Sequence, residues 1–163
     1  MADESRPNVY ASEVEYDAGQ PKGYRAGMVT RPGPQLGAQA TGLSVYEIPP
    51  GESICPYHYE RAEEEWLVVL EGRATVRRPA SEEELGRGDI AFFTNAPEGA
   101  HKVTNRTDEN LRVLMFSDLK WPAVSVYPDS DKIGVYASRD RKDNVIVPRS
   151  ADVDYYDGEP IED

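Results

Sequence analysis

Apolar positions along this chain fall in short clusters separated by turn formers, and no helical 3.6-residue period is sustained over three turns. Leu43, Val45, Tyr46 and Ile48 mark a strand that the Pro49-Pro50-Gly51 triplet stops. Residues 54–60 form a short extended stretch, and residues 61–64 are polar and turn-like. The run 65–70 is continuously apolar after Glu65, which predicts a strand covered on both faces. Glu71-Gly72 then supplies a tight hairpin, and Ala74 and Val76 return along the sheet. Residues 81–85 are acidic and ambiguous. Residues 90–93, 100–105 and 111–117 give three more strands, with outer strands at 124–127 and 133–136. Turn signals recur every roughly 8–12 residues, the pattern of an all-β antiparallel sandwich or barrel. Trp66, Phe92, Phe93 and Phe116 read as core aromatics.

Three segments organise the chain. Residues 1–40 are an N-terminal arm of loops and edge structure, punctuated by Pro21, Gly23, Pro32, Gly33, Pro34 and Gly37 too often for a helix. Residues 41–120 are the barrel core, and residues 121–163 a C-terminal extension. That extension holds a charged loop at 138–143 and an acidic tail over 151–163. The tail reads as solvated, with Tyr155 and Tyr156 as anchors to the barrel or to a second subunit.

Composition narrows the function. The 163 residues suit one domain, and 13 glycines with 13 prolines favour turns over long helices. Thirty acids against 18 bases give a net charge of −12, which disfavours nucleic acid and anionic membranes as partners. One cysteine excludes a disulfide framework and a cysteine-rich zinc module. No apolar run approaches a membrane span, and the polar first ten residues carry no signal-peptide core, so the expected location is the cytoplasm.

Both histidines lie in expected strands. Alternation puts His58 and Glu60 on one face, with Tyr57, Tyr59 and Cys55 turned away. Glu65 opens the next strand, and His101 lies in 100–105. Should all these faces look into one barrel, two imidazoles and two carboxylates converge as metal ligands: His58, Glu60, Glu65 and His101. Alternatively Glu60 swings away, leaving a face of two histidines and one carboxylate with open positions. An inward, unpartnered Glu60 would be costly, so the cluster requires a cation, a proton shared between carboxylates, or a wide wet cavity.

Residues 51–72 resemble the first cupin motif through Gly51, His58, Glu60, Glu65 and Gly72. Residues 88–105 resemble the second through Gly88, Pro97, Gly99, His101 and Asn105. The stretch 41–131 is similar to small single-domain bacterial cupins of generally unassigned function. The resemblance implies a double-stranded β-helix, the jelly-roll-like cupin barrel. It implies one divalent metal ion, with Mn, Fe or Zn suited to nitrogen and oxygen donors and Ni also compatible. This chain departs from the pattern where Glu60 replaces the usual second histidine, where six residues separate Gly51 from His58, and where Thr94 and Ala96 replace proline and glycine.

The resulting expectation is a small metal-dependent enzyme, of dioxygenase or isomerase type, acting on a small polar metabolite. Glu60 serves as fourth ligand or as a catalytic base. The alternative is a non-catalytic binding or sensing module for a sugar-like ligand, and either form is expected to be a homodimer. The partial calcium-loop pattern at Asp129-Ser130-Asp131 lacks its ligand spacing, and no nucleophile elbow or phosphate loop occurs.

Overall fold

A computed structural model describes residues 6–138, 140 and 142–160. The first five residues, Arg139 and Arg141 of the charged loop, and the last three of the acidic tail lie outside the described residues. The chain enters through β1 (Gly27–Thr30) and a single helical turn, α1 (Gly33–Leu36). It continues through β2 (Thr41–Ile48), β3 (Tyr59–Glu60), β4 (Glu65–Glu71), β5 (Arg73–Arg77), β6 (Glu82–Gly86) and β7 (Ile90–Phe93). After a 3₁₀ turn at Pro97–Gly99 come β8 (Lys102–Thr104), β9 (Leu111–Asp118), β10 (Ala123–Tyr127), β11 (Lys132–Tyr136) and β12 (Val145–Pro148).

Two antiparallel layers face one another. The first runs β1-β2-β9-β4-β7. The second combines β12-β11-β10-β3 with β6-β5-β8. Isolated bridges at His58↔His101 and Ser53↔Thr104 join its two halves. Ile48, Leu67, Val69, Leu111 and Val113 from the first layer pack on Ala74, Val76 and Val103 from the second. Each such Val, Leu or Ile side chain contributes roughly 1.5–3 kcal/mol by leaving water. The expected all-β architecture, closed as a double-stranded β-helix, is the one observed. At Gly72 the hairpin takes φ +79, and an added Cβ would sit 2.8 Å from the Asn110 carbonyl oxygen, so only glycine fits.

Several local expectations need correction. β4 is covered on one face only. Leu67 and Val69 are buried, whereas Trp66 is 43% exposed. Trp66 pairs with Phe92 on one side and Phe116 on the other, both also exposed, so this cross-strand row faces outward and only Phe93 joins the core. A strand of the first layer can carry apolar residues on its open face, which periodicity alone does not separate from burial. The acidic stretch forms β6, whose Glu82 and Glu83 pair with Arg106 and Arg78. Val145, Ile146 and Val147 form an exposed edge strand that three apolar residues were too few to announce. Tyr155 and Tyr156 do not anchor to the barrel; both are exposed and pack edge-to-face on each other.

Asn105 locks the loop that leads into β9. It is fully buried, its Nδ2 donates to the Ile48 and Glu109 carbonyls at 2.7 Å, and its Oδ1 accepts from the Thr107 N–H and hydroxyl. Removing a buried partner leaves the others unsatisfied at about 1–3 kcal/mol each. Asn105→Ala should lower the unfolding free energy by about 2–4 kcal/mol in urea titration. Asn105→Asp should lose nearly as much, because a carboxylate cannot donate to the two carbonyls.

Candidate metal centre and ligand chamber

The sheet itself places the histidines side by side. The His58 N–H donates to the His101 carbonyl at 3.1 Å and the His101 N–H to the His58 carbonyl at 2.8 Å, so the two are directly opposed. Opposed residues share a face, and the imidazole centroids lie 4.8 Å apart. Both rings are held the same way. His58 Nδ1 lies 3.0 Å from the Pro56 carbonyl and His101 Nδ1 lies 2.9 Å from the Gly99 carbonyl. A carbonyl only accepts, so each Nδ1 carries the proton and each Nε2 is left as the open nitrogen. Phe93 stacks on His101 at 3.6 Å and fixes its plane.

The open nitrogens face carboxylates. Glu65 shares the inner face of β4 with Leu67 and Val69, and its Oε2 lies 3.6 Å from His101 Nε2. Glu60 Oε1 lies 3.5 Å from His58 Nε2 and accepts the Ser125 hydroxyl at 2.7 Å. Lone pairs thus point at lone pairs across gaps that only a cation or a proton makes favourable. One ligand atom from each of His58, Glu65 and His101 lies within 4.8 Å of the other two. Two fixed imidazoles and a carboxylate are donors suited to a divalent ion of the Mn, Fe or Zn type. Glu60, the remaining expected ligand, lies beside His58 but outside that triple, with one oxygen committed to Ser125.

Without a cation the cluster redistributes protons. Burial opposes charge on His58, but Cys55, Glu65 and Glu60 push it up to about 10. Burial and the neighbouring His58 charge push His101 down to about 3. Burial raises Glu65 to about 7 against the pull of His58, with Glu60 adding to the rise. Burial likewise raises Glu63 to about 7, and raises Glu60 despite its Ser125 and His58 contacts.

Beside the cluster opens a chamber of about 490 Å³. The barrel core contributes His58, Glu60, Glu63, Tyr46 and Cys55. Much of the remaining wall comes from the arm and the C-terminal extension, including Arg31, Ser125, Asn144 and the Tyr127–Tyr136 hydroxyl pair, 2.8 Å apart. Sequence reasoning missed these residues, because neither the arm nor the short strands and loop after Trp121 carry a chemical signature of their own. Cys55 also differs from expectation. Its thiol lines the chamber, 3.6 Å from His58 Nδ1. The backbone bends at Ile54, Cys55 and Tyr57 instead of running extended, so strand alternation does not apply there.

Groups with raised folded pKa values stabilise while protonated, fully below their ordinary value, and lose this as pH rises through the folded value. His58, Glu65 and Glu63 are of this kind. His101 has the opposite sign, and its contribution is complete above its ordinary 6.5. The Tm of metal-free protein, measured with chelator present, should therefore fall from pH 6.5 toward the His58 value of about 10. A rising Tm over that window would contradict the proton placement.

The family profile described as a cupin domain matches residues 44–117. A sugar phosphate isomerase of the cupin superfamily from Silicibacter pomeroyi is 18% identical with a TM-score of 0.76, over 90% of this chain and 94% of that one. A protein assigned as a sugar phosphate isomerase from Acidithiobacillus ferrooxidans is 22% identical with a TM-score of 0.76, over 86% of this chain and 88% of that one. A predicted oxalate decarboxylase from Thermotoga maritima is 20% identical with a TM-score of 0.55, over 69% of this chain and 99% of that one. At these identities the likeness concerns the fold. A comparison with curated proteins gives no match. With the profile match, the two-layer barrel and the paired histidines in agreement, residues 44–117 of the chain form a cupin domain.

Proposed function

We propose that this cupin binds one divalent metal ion through His58, Glu65 and His101, and is an enzyme of isomerase type acting on a small polar metabolite. The observation that carries the reading is the pair of Nδ1-anchored imidazoles with both Nε2 atoms turned toward carboxylates. When bound, the ion would polarise a carbonyl or hydroxyl of the ligand.

The chain's own residues supply the rest. Glu60 is the candidate base. Ser125 holds its Oε1, which leaves Oε2 to take a proton from a ligand carbon or hydroxyl and return it to a neighbouring one. Burial raises its pKa, so a proton once taken is retained long enough to be handed on. The Tyr127 and Tyr136 hydroxyls line the same chamber and can orient ligand oxygens. Isomerisation needs a positioned base beside a polarised carbonyl and no external oxidant, and this set of groups meets that need.

Metal content by elemental mass spectrometry on untagged protein should give about one Mn, Fe or Zn per chain, lost in His58→Ala and His101→Ala. Glu60→Gln should keep the metal. In D2O, metal-loaded protein should place solvent deuterium beside the carbonyl of at least one compound in a hydroxyaldehyde and hydroxyketone panel. Glu60→Gln should reduce that rate by roughly 10²–10⁴-fold. Metal retained with no exchange across the panel would contradict the isomerase reading and favour the non-catalytic binder. No metal in any variant after incubation with divalent ions would contradict the whole proposal.

A further inference from the structure

The chamber beside the metal cluster is electrically lopsided. Glu60 and Glu63 line it on the side of the histidines. Among its described lining residues, Arg31 is the one lysine or arginine. Arg31 follows β1 in the N-terminal arm, outside the matched cupin domain. Its Nε lies 3.3 Å from the hydroxyl of Ser44 on β2. Ser44 is opposed to Met115, which packs against the core, so it and Tyr46 point to the inner face of the first layer. The Ser44 contact thus holds the guanidinium at the inner face of the layer opposite Glu60. It leaves both terminal nitrogens of Arg31 without a protein acceptor among the described residues.

Asn144, from the loop before β12, lines the same chamber. Its Oδ1 accepts the Ala137 N–H at 3.0 Å, and its Nδ2, which has no acceptor among the described residues, can only donate. Donors from segments on either side of the barrel core therefore meet one chamber, the terminal nitrogens of Arg31 and Nδ2 of Asn144, with no acceptor for them among the described residues. A chain of net charge −12 repels anions generally, so a cation confined to the wall of this chamber has a selective effect.

We propose that Arg31, assisted by Asn144, captures an oxyanion on the ligand, so that the substrate class is a small hydroxylated metabolite bearing a phosphate or carboxylate group. The inference rests on the functional reading above for the placing of the reactive end. Charge repulsion from Glu60 and Glu63 and attraction to Arg31 orient such a molecule with its anionic end at Arg31 and its hydroxyl or carbonyl end at the His58–Glu65–His101 cluster. Both anion types use the same recognition, namely parallel N–H donors on one edge of a guanidinium.

The test uses inorganic phosphate and malonate as separate probes, with binding followed by NMR shift changes of the full-length protein and metal content measured on the same samples. Both probes should saturate on wild type if the site takes either anion, and one alone identifies the anion type. Arg31→Gln should weaken binding roughly ten- to hundredfold with metal content unchanged. Arg31→Lys should recover part of the affinity, and Asn144→Leu should weaken it several-fold; these two keep the test decisive if Arg31→Gln folds poorly. Equal affinity of Arg31→Gln and wild type would overturn the proposal. So would anion binding that vanishes in metal-free His101→Ala yet ignores Arg31, since the anion would then sit on the metal. Saturation by neither probe also overturns it, while the metal content of the same samples reports separately on the metal-site reading. Arg31-dependent phosphate binding by a protein that holds no metal would sustain this inference and contradict the other.

Discussion

The reciprocal backbone pairing of His58 with His101 is the constraint on which the site depends. It is a single antiparallel bridge, yet it joins the two halves of the second layer and brings two imidazoles to one face. The carbonyls of Pro56 and Gly99 then decide the tautomer of both rings, each from two residues upstream. The position of Glu65 follows from the facing layer, where the alternation that buries Leu67 and Val69 also turns Glu65 inward. Chemistry at this site is thus a consequence of sheet register. A slip of one residue in either strand would turn a histidine to the other side.

The sequence was most readable where local rules act alone. Proline and glycine stops, the hairpin at Gly72 and the strand alternation of His58 with Glu60 all carry over into the structure. So does the identity of Phe93 as core, which the structure places against His101. Readability failed where tertiary context decides. Trp66, Phe92 and Phe116 have the composition of a core but lie on the open side of the first layer. Cys55 was assigned by strand parity in a segment that bends. The chamber wall was invisible because Arg31, Ser125 and Asn144 are ordinary residues until two distant segments fold beside the same cavity.

This division has a functional meaning. The barrel core supplies the groups that would hold a cation, and the flanking segments supply much of the surface a ligand would touch. Ser125 belongs to both, since it lines the chamber and fixes Glu60. Specificity can then change through the extensions without disturbing the paired histidines, consistent with function residing in sites carried on a common fold.

In the proposed centre two Nε2 atoms and carboxylate oxygen hold one ion, with the Cys55 thiol beside the centre but outside its coordination. X-ray absorption on protein reconstituted with one equivalent of zinc tests this directly. The expected spectrum shows a shell of nitrogen and oxygen with the outer scattering of two imidazoles. A sulfur scatterer near ~2.3 Å, or the signature of fewer than two imidazoles, would contradict it.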